Sequence, residues 1–424
     1  MTTDGAANER LAASQLVGEG NNHHCDAHNI QLDIEDVTGK NGPPNCADHR
    51  AVIRKAHDLV ILINGHKVLF TEFSRLTQLK RANEDNERKF DALIINNETR
   101  WDSELAMLER LVAFDAEILE LYQNLDLGIA DDCILTRFEF DLAYAMTRVL
   151  GPFRLFTKFV QKREEVTLAH VPHLIDELVT KLAPHSFDNE LRSRADGVVA
   201  AMNIFQSELV ISIKRRYGPM FNSGSLARCA SFFIPGRRYR DFVNFPTPDE
   251  DEVVTRVKER IVTEAIGLLP PDADDEKKRR TERNVRSALE DLRADLNKLD
   301  PNLPENDPLR WIPLKSDAPI LFPAAQMFLA IFSSSAEDER NFSSAGITLN
   351  KLRSRMAIEN FRYEHRIRRY LTAGSDILTQ AGRQARQERA EEQLCLFTAR
   401  YAALPLVNQP VPLAGNQAAV NARR

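Results

Sequence analysis

The sequence has little of what marks a secreted, membrane-spanning or polybasic chain. Its 424 residues hold five cysteines, Cys25, Cys46, Cys133, Cys229 and Cys395, an odd and scattered set unlike the dense, even framework of a disulfide-stapled domain. A reducing, intracellular setting is therefore expected. The most apolar stretch, 318–332, runs fifteen residues and contains Pro319, Pro323 and Gln326. That is short of the ~20 apolar residues a membrane helix needs. The first twenty residues carry neither a basic stretch nor an apolar core, so no secretory leader is expected. Charge of one sign is also missing: 56 Lys plus Arg against 62 Asp plus Glu leaves −6, which excludes a histone-like protein. Any affinity for nucleic acid has to come from a local patch.

Glycine is scarce, at 17 residues, while hydrophobic residues make up 43% of the chain, and the long segments repeat with a helical period. Trp101, Leu105, Leu108 and Val112 mark one apolar stripe; Phe114, Ile118, Leu121 and Leu125 continue it shifted by two positions. Val198, Met202, Phe205, Leu209 and Ile213 form another. Strand signals are few, the clearest being the apolar run Ala92 to Ile95 before Asn96 and Asn97, so only a small sheet is expected. The length allows two or three folded units. Breaker-rich segments fall at 267–280 (GLLPPDADDEKKRR), read as an exposed connection, and at 300–308. Beyond residue 373 the pattern predicts one charged helix, 380–401, and then a tail with no periodicity.

Local rules agree most closely at 332–346, FSSSAEDERNFSSAG. Ser334 with Glu337 fits a capping box, so a helix is predicted to start there and to stop at Gly346. Glu339 then falls in the first turns, where the positive end of the helix favours a carboxylate. Spacing alone reads it as an exposed side chain on a surface helix.

Three motifs in order carry a resemblance. The segment from Pro308 contains Trp311, the Pro-led apolar run 323–332, the small residues 333–336, Glu339-Arg340-Asn341-Phe342-Ser343, a basic stretch 351–355 and Glu359-Asn360. Upstream stand Thr99-Arg100-Trp101-Asp102-Ser103 and Cys25-Asp26-Ala27-His28, and before them Thr2-Thr3-Asp4-Gly5-Ala6-Ala7-Asn8. Together these resemble the hobo/Activator-type (hAT) DNA transposases, with the dimerisation region of that family at the C-terminus. Cys25, His28, Arg100, Trp101 and Arg340 are the family-motif positions.

The resemblance implies a mainly α chain: a ribonuclease-H-like α/β core, truncated at its start and interrupted by a large all-α insertion. Its implied divisions are a core at 1–128, the insertion at 129–307, a dimerisation region completing the core at 308–373, and a helical segment with a tail at 374–424. The family's catalysis uses two Asp and one Glu to hold two divalent metals, which activate water and stabilise the leaving oxygen, and hard Mg²⁺ favours carboxylate oxygens. Carried over by motif, Asp4 matches the second Asp and Glu339 the Glu, as catalytic and metal-holding positions. The first Asp has no counterpart, so these positions are expected to be vestigial and the chain alone inactive, with no cofactor required and Mg²⁺ relevant only to a completed site.

The function expected is therefore self-association, with apolar faces that include Phe328, Leu329, Phe332 and Phe342 buried between copies. Two alternatives stay open: a fragment of an active metal-dependent transposase or nuclease, and a DNA-binding protein without catalysis. For DNA as a partner the best patch is Lys351, Arg353, Arg355, Arg362, Arg366, Arg368 and Arg369, which reads equally as a solvated face beside a dimer contact. A nuclear location follows by resemblance, and Lys277 to Arg280 could act as an import signal. No membrane partner is expected. Cys25, His28, Cys46 and His49 have the right types for tetrahedral zinc, but also read as buried thiols and core histidines.

Overall fold

The computed structural model describes residues 2–3, 23–83, 92–97, 101–123, 129, 131–162, 166–236, 242–247, 249–299, 318–331 and 333–335. The chain divides into two compact units, Met1–Ala336 and Glu337–Arg424, and all described residues belong to the first. The expected borders at 128 and 307 fall inside that unit.

Among the described residues the architecture is mainly α. In chain order come β1 (Thr2–Thr3), β2 (His23–His24), α1 (Asp26–Thr38), α2 (Ala47–Gly65), α3 (Lys67–Asn83), α4 (Trp101–Ala113) and α5 (Asp115–Gln123). There follow α6 (Arg137–Val160), α7 (Thr167–Lys181), the single turn α8 (Asp188–Leu191), α9 (Val198–Phe221) and α10 (Leu226–Ser231). The last three are α11 (Glu250–Gly267), α12 (Asp275–Leu296) and α13 (Ala318–Leu329).

Local chemistry sets many of these limits. The two-position shift of the apolar stripe at Val112–Phe114 coincides with the break between α4 and α5, because one continuous helix would have rotated the second stripe into solvent. Thr136 starts α6 with a capping box: its Oγ1 accepts from the Glu139 amide at 3.3 Å, and Glu139 Oε2 accepts from the Thr136 amide at 2.7 Å. Asp249 and Asp274 cap α11 and α12 through side-chain oxygens. Gly197 enters α9 at φ 87°, a left-handed conformation that a Cβ would strain.

The stripes meet in one continuous core. Val198, Met202, Phe205, Leu209 and Ile213 are all buried on α9, which packs on α1 and α6. A second group gathers α7, α10, α11 and α12 around α13, and there Phe233 stacks with Phe328. Phe221 joins the two groups, lying on Phe245 at 4.0 Å and edge-on to Phe242 at 4.9 Å.

Two local expectations are corrected. Residues 92–97 form neither helix nor strand; Leu93 is buried, and its carbonyl accepts from Asn64 Nδ2 at 3.0 Å. Its backbone is satisfied by a helix side chain, so the apolar run reads as a strand without forming a ladder. The second correction lies in 267–280. The turn spans only 268–274, and the cap at Asp274 draws Lys277 to Arg280 into the first turns of α12. The ladder seen among the described residues is the parallel pair β1 and β2, with Thr2 opposite His23 and Thr3 opposite His24.

Candidate functional site

The residues after β2 form a junction bonded to three other parts of the chain. Cys25 precedes α1 and is buried, while Ser333, Ser334 and Ser335 arrive from the far end of that unit, also buried. The Cys25 thiol donates to Ser334 Oγ at 3.5 Å, a contact between positions 309 residues apart, and its sulfur accepts the Ser335 amide at 3.3 Å. The Asp26 amide, a helix-start donor with no partner inside α1, donates to the Ser333 carbonyl at 2.7 Å. Ser333 is fixed from its other side as well. Its amide donates to Thr167 Oγ1 at 3.2 Å at the start of α7, and its hydroxyl to the Val160 carbonyl at 3.3 Å at the end of α6.

Small side chains are what make this possible. Serine brings hydroxyls and closely approaching backbone into a space where a larger residue would hold the chain off, and the Ser333 amide, its hydroxyl and the Ser335 amide all find partners there. The surroundings are pinned too: His23 Nε2 lies 2.7 Å from Asp26 Oδ2, and the Tyr217 hydroxyl donates to the Asp26 carbonyl at 3.3 Å. Burial, with Asp26 and Asp33 nearby, pushes the Tyr217 phenol well above its ordinary value, so it stays a neutral donor. Two motifs recognised separately in the sequence, the one that begins at Cys25 and the serines 333–335, thus come into direct contact.

The remaining sequence-derived positions divide clearly. His28 is half-buried on α1. Trp101 is buried at the start of α4, with Ser103 Oγ bonded to both the amide and the carbonyl of Asn97. Asp102 and Glu109 share Arg154, at 2.6 and 2.7 Å. Phe328 and Leu329 face inward, 0% and 3% exposed, within the chain's own core; Ile320, Pro323 and Gln326 carry the outward face of α13. Asp4, Arg100, Phe332, Glu339, Arg340, Phe342 and the basic residues Lys351, Arg353, Arg355, Arg362, Arg366, Arg368 and Arg369 lie outside the described residues, as does Glu337 of the expected capping box.

Among the described residues no group of three or more His, Cys, Asp or Glu is placed to hold a metal ion, and Cys25, His28, Cys46 and His49 are not gathered into one. Cys46 and His49 sit in buried surroundings: burial, helped by Glu208, pushes the Cys46 thiol up to about 11, and burial holds His49 down to about 4, stacked on Phe205 at 4.7 Å. No described helix is long and apolar enough to cross a membrane.

Sequence comparison adds the class. Residues 288–362, which include the end of α12, α13 and the three serines, match the hAT family C-terminal dimerisation region. No curated protein matches the chain. That match supports membership of the hAT transposase superfamily and a capacity for self-association through this region.

What the sequence did not reveal is the cluster between α1 and α9. Ser212 Oγ lies 2.9 Å from Asp33 Oδ1 and 2.7 Å from Asp36 Oδ2, beside Arg215 and Arg216. A buried Asp every seventh residue of α1, at 26 and 33, was the available signal, since carboxylates on an inward face need partners.

Proposed function

We propose that this protein works as a homo-oligomer, assembled through the region at 288–362, in the nucleus. The observation that carries the reading is the family match, in a segment anchored by the Cys25 and Ser333–Ser335 contacts. Anchoring the segment there lowers the ordering cost of pairing with a second copy. Phe332 and Phe342 are the candidate contact residues within it. Phe328 and Leu329 contribute from beneath, as core that shapes the surface. Measured by light scattering at tens of micromolar, the full chain is expected at twice its 48.1 kDa. A strictly monomeric mass refutes the reading.

A second reading is metal-dependent DNA cleavage, for which Asp4 and Glu339 are the motif positions. Labelled DNA incubated with Mg²⁺ or Mn²⁺ tests it: cleavage lost in Glu339→Ala supports catalysis, and uncut DNA refutes it for this chain alone. Binding of DNA by the basic residues 351–369 is tested by the salt dependence of a mobility shift.

A further inference from the structure

The cluster between α1 and α9 holds one hydrogen too few if both its carboxyls are ionised. Ser212 Oγ sits within hydrogen-bond distance of Asp33 Oδ1, at 2.9 Å, and Asp36 Oδ2, at 2.7 Å, yet a hydroxyl has one proton to donate. Arg216 Nε comes within 3.1 Å of Asp33 Oδ1, but its hydrogen bond goes to the Asn29 carbonyl at 3.3 Å. Asp33 Oδ2 is buried with no partner at all. With both acids charged, one of the two Ser212 contacts is therefore oxygen against oxygen with nothing between them.

We propose that the α1–α9 contact is a proton-operated latch, in which Asp33 is seated as the neutral acid and its ionisation loosens α1 from α9. In the latched state every hydrogen is placed: the Asp33 carboxyl donates to Ser212 Oγ, the Ser212 hydroxyl donates to Asp36 Oδ2, and Arg216 Nε–H donates to Asn29. Nη2 of Arg215 and of Arg216 then balance Asp36, at 2.5 and 2.7 Å.

Exposure sorts the roles. The Asp33 side chain is 0% exposed, against 37% for Asp36, 20% for Arg216 and 64% for Arg215, so the outer three are served by solvent and Asp33 is not. Burial raises its carboxyl from 3.8 to about 7, although Arg216, Ser212 and Arg215 pull it down; Asp36 adds to the rise. The other groups facing α1 leave this balance alone. Tyr217 of α9 is neutral, Glu104 of α4 responds to Glu35, and the buried carboxylate of α6, Asp141, is held by Arg137 and Arg194. The latch has a place in the architecture, because α1 opens with Cys25 and Asp26, the residues that hold Ser333–Ser335.

The sign follows from linkage. A carboxyl whose folded value stands above its unfolded 3.8 contributes stability that is whole below about 4 and is lost as pH rises through about 7. The test uses full-length protein, wild type and Asp33→Asn, unfolded by urea from about pH 4 to about pH 8. Relative to the variant, the wild-type folding constant is expected to fall by up to about tenfold per pH unit between those limits and then level off. Parallel profiles overturn the proposal. Should Asp33→Asn not fold, carbon-13 labelling of aspartate in the wild type reads the same proton directly: an Asp33 resonance with its midpoint near 7 supports the latch. A midpoint below about 5 overturns it.

Discussion

Phe328 separates two views of α13, because a core residue and a subunit contact respond to truncation in different ways. Its ring is 0% exposed and stacks on Phe233 with centroids 6.4 Å apart and planes 25° from parallel, in a helix packed on α7, α10, α11 and α12. Phe328→Ala removes most of the ring and leaves a cavity that these helices can only partly close, a loss of about 3–5 kcal/mol. Set against a total stability of about 5–15 kcal/mol, that is a large fraction. With a urea slope of about 3 kcal/mol per molar for a unit of this size, the unfolding midpoint should fall by roughly 1 M, followed by circular dichroism. Ile320→Ala, on the outward face at 41% exposure, should move it far less, within about 0.5 kcal/mol if the site is surface. A Phe328→Ala protein with an unchanged midpoint but a reduced oligomer mass refutes the reasoning, since that pattern belongs to a residue buried between copies.

Other consequences can be measured separately. Cys25→Ala should cost about 1–3 kcal/mol, because the buried Ser335 amide loses its acceptor, and Cys25→Ser, which restores a donor and acceptor, should recover part of it; thermal melts of the pair decide, and equal melts for Cys25→Ala and wild type refute the junction's role. Glu104 is raised from 4.5 to about 7 by burial and by Glu35, and its Oε1 is buried without a partner. The neutral form's contribution is whole below about 4.5 and lost through about 7, so Glu104→Gln should match wild type in acid and exceed it near pH 8 by on the order of 2 kcal/mol in urea unfolding. A variant less stable than wild type at the higher pH contradicts that environment.

Much of the helical scaffold was legible in the chain because a 3.6-residue period is a local property. The stripes on α4, α5 and α9 and the break at Phe114 follow from side-chain spacing and need no partner to be read. Residues 92–97 show the limit: an apolar run is compatible with a strand, but whether a ladder forms depends on what lies beside it, and Asn64 of α2 took the Leu93 carbonyl instead. Lys277 to Arg280 show another, since the cap at Asp274 outweighed the breaker residues before it.

The sequence by itself determined the helical class, the separate motifs at Cys25, Trp101 and Ser333, and the dimerisation region at 288–362. The tertiary structure alone decided that Cys25 meets Ser334, that Phe328 faces inward and that Asp33 shares a serine with Asp36. The reason is physical: helical periodicity is written within a few residues, whereas the partner of a buried polar group, and the side of an all-apolar helix that is covered, are settled by elements hundreds of positions away.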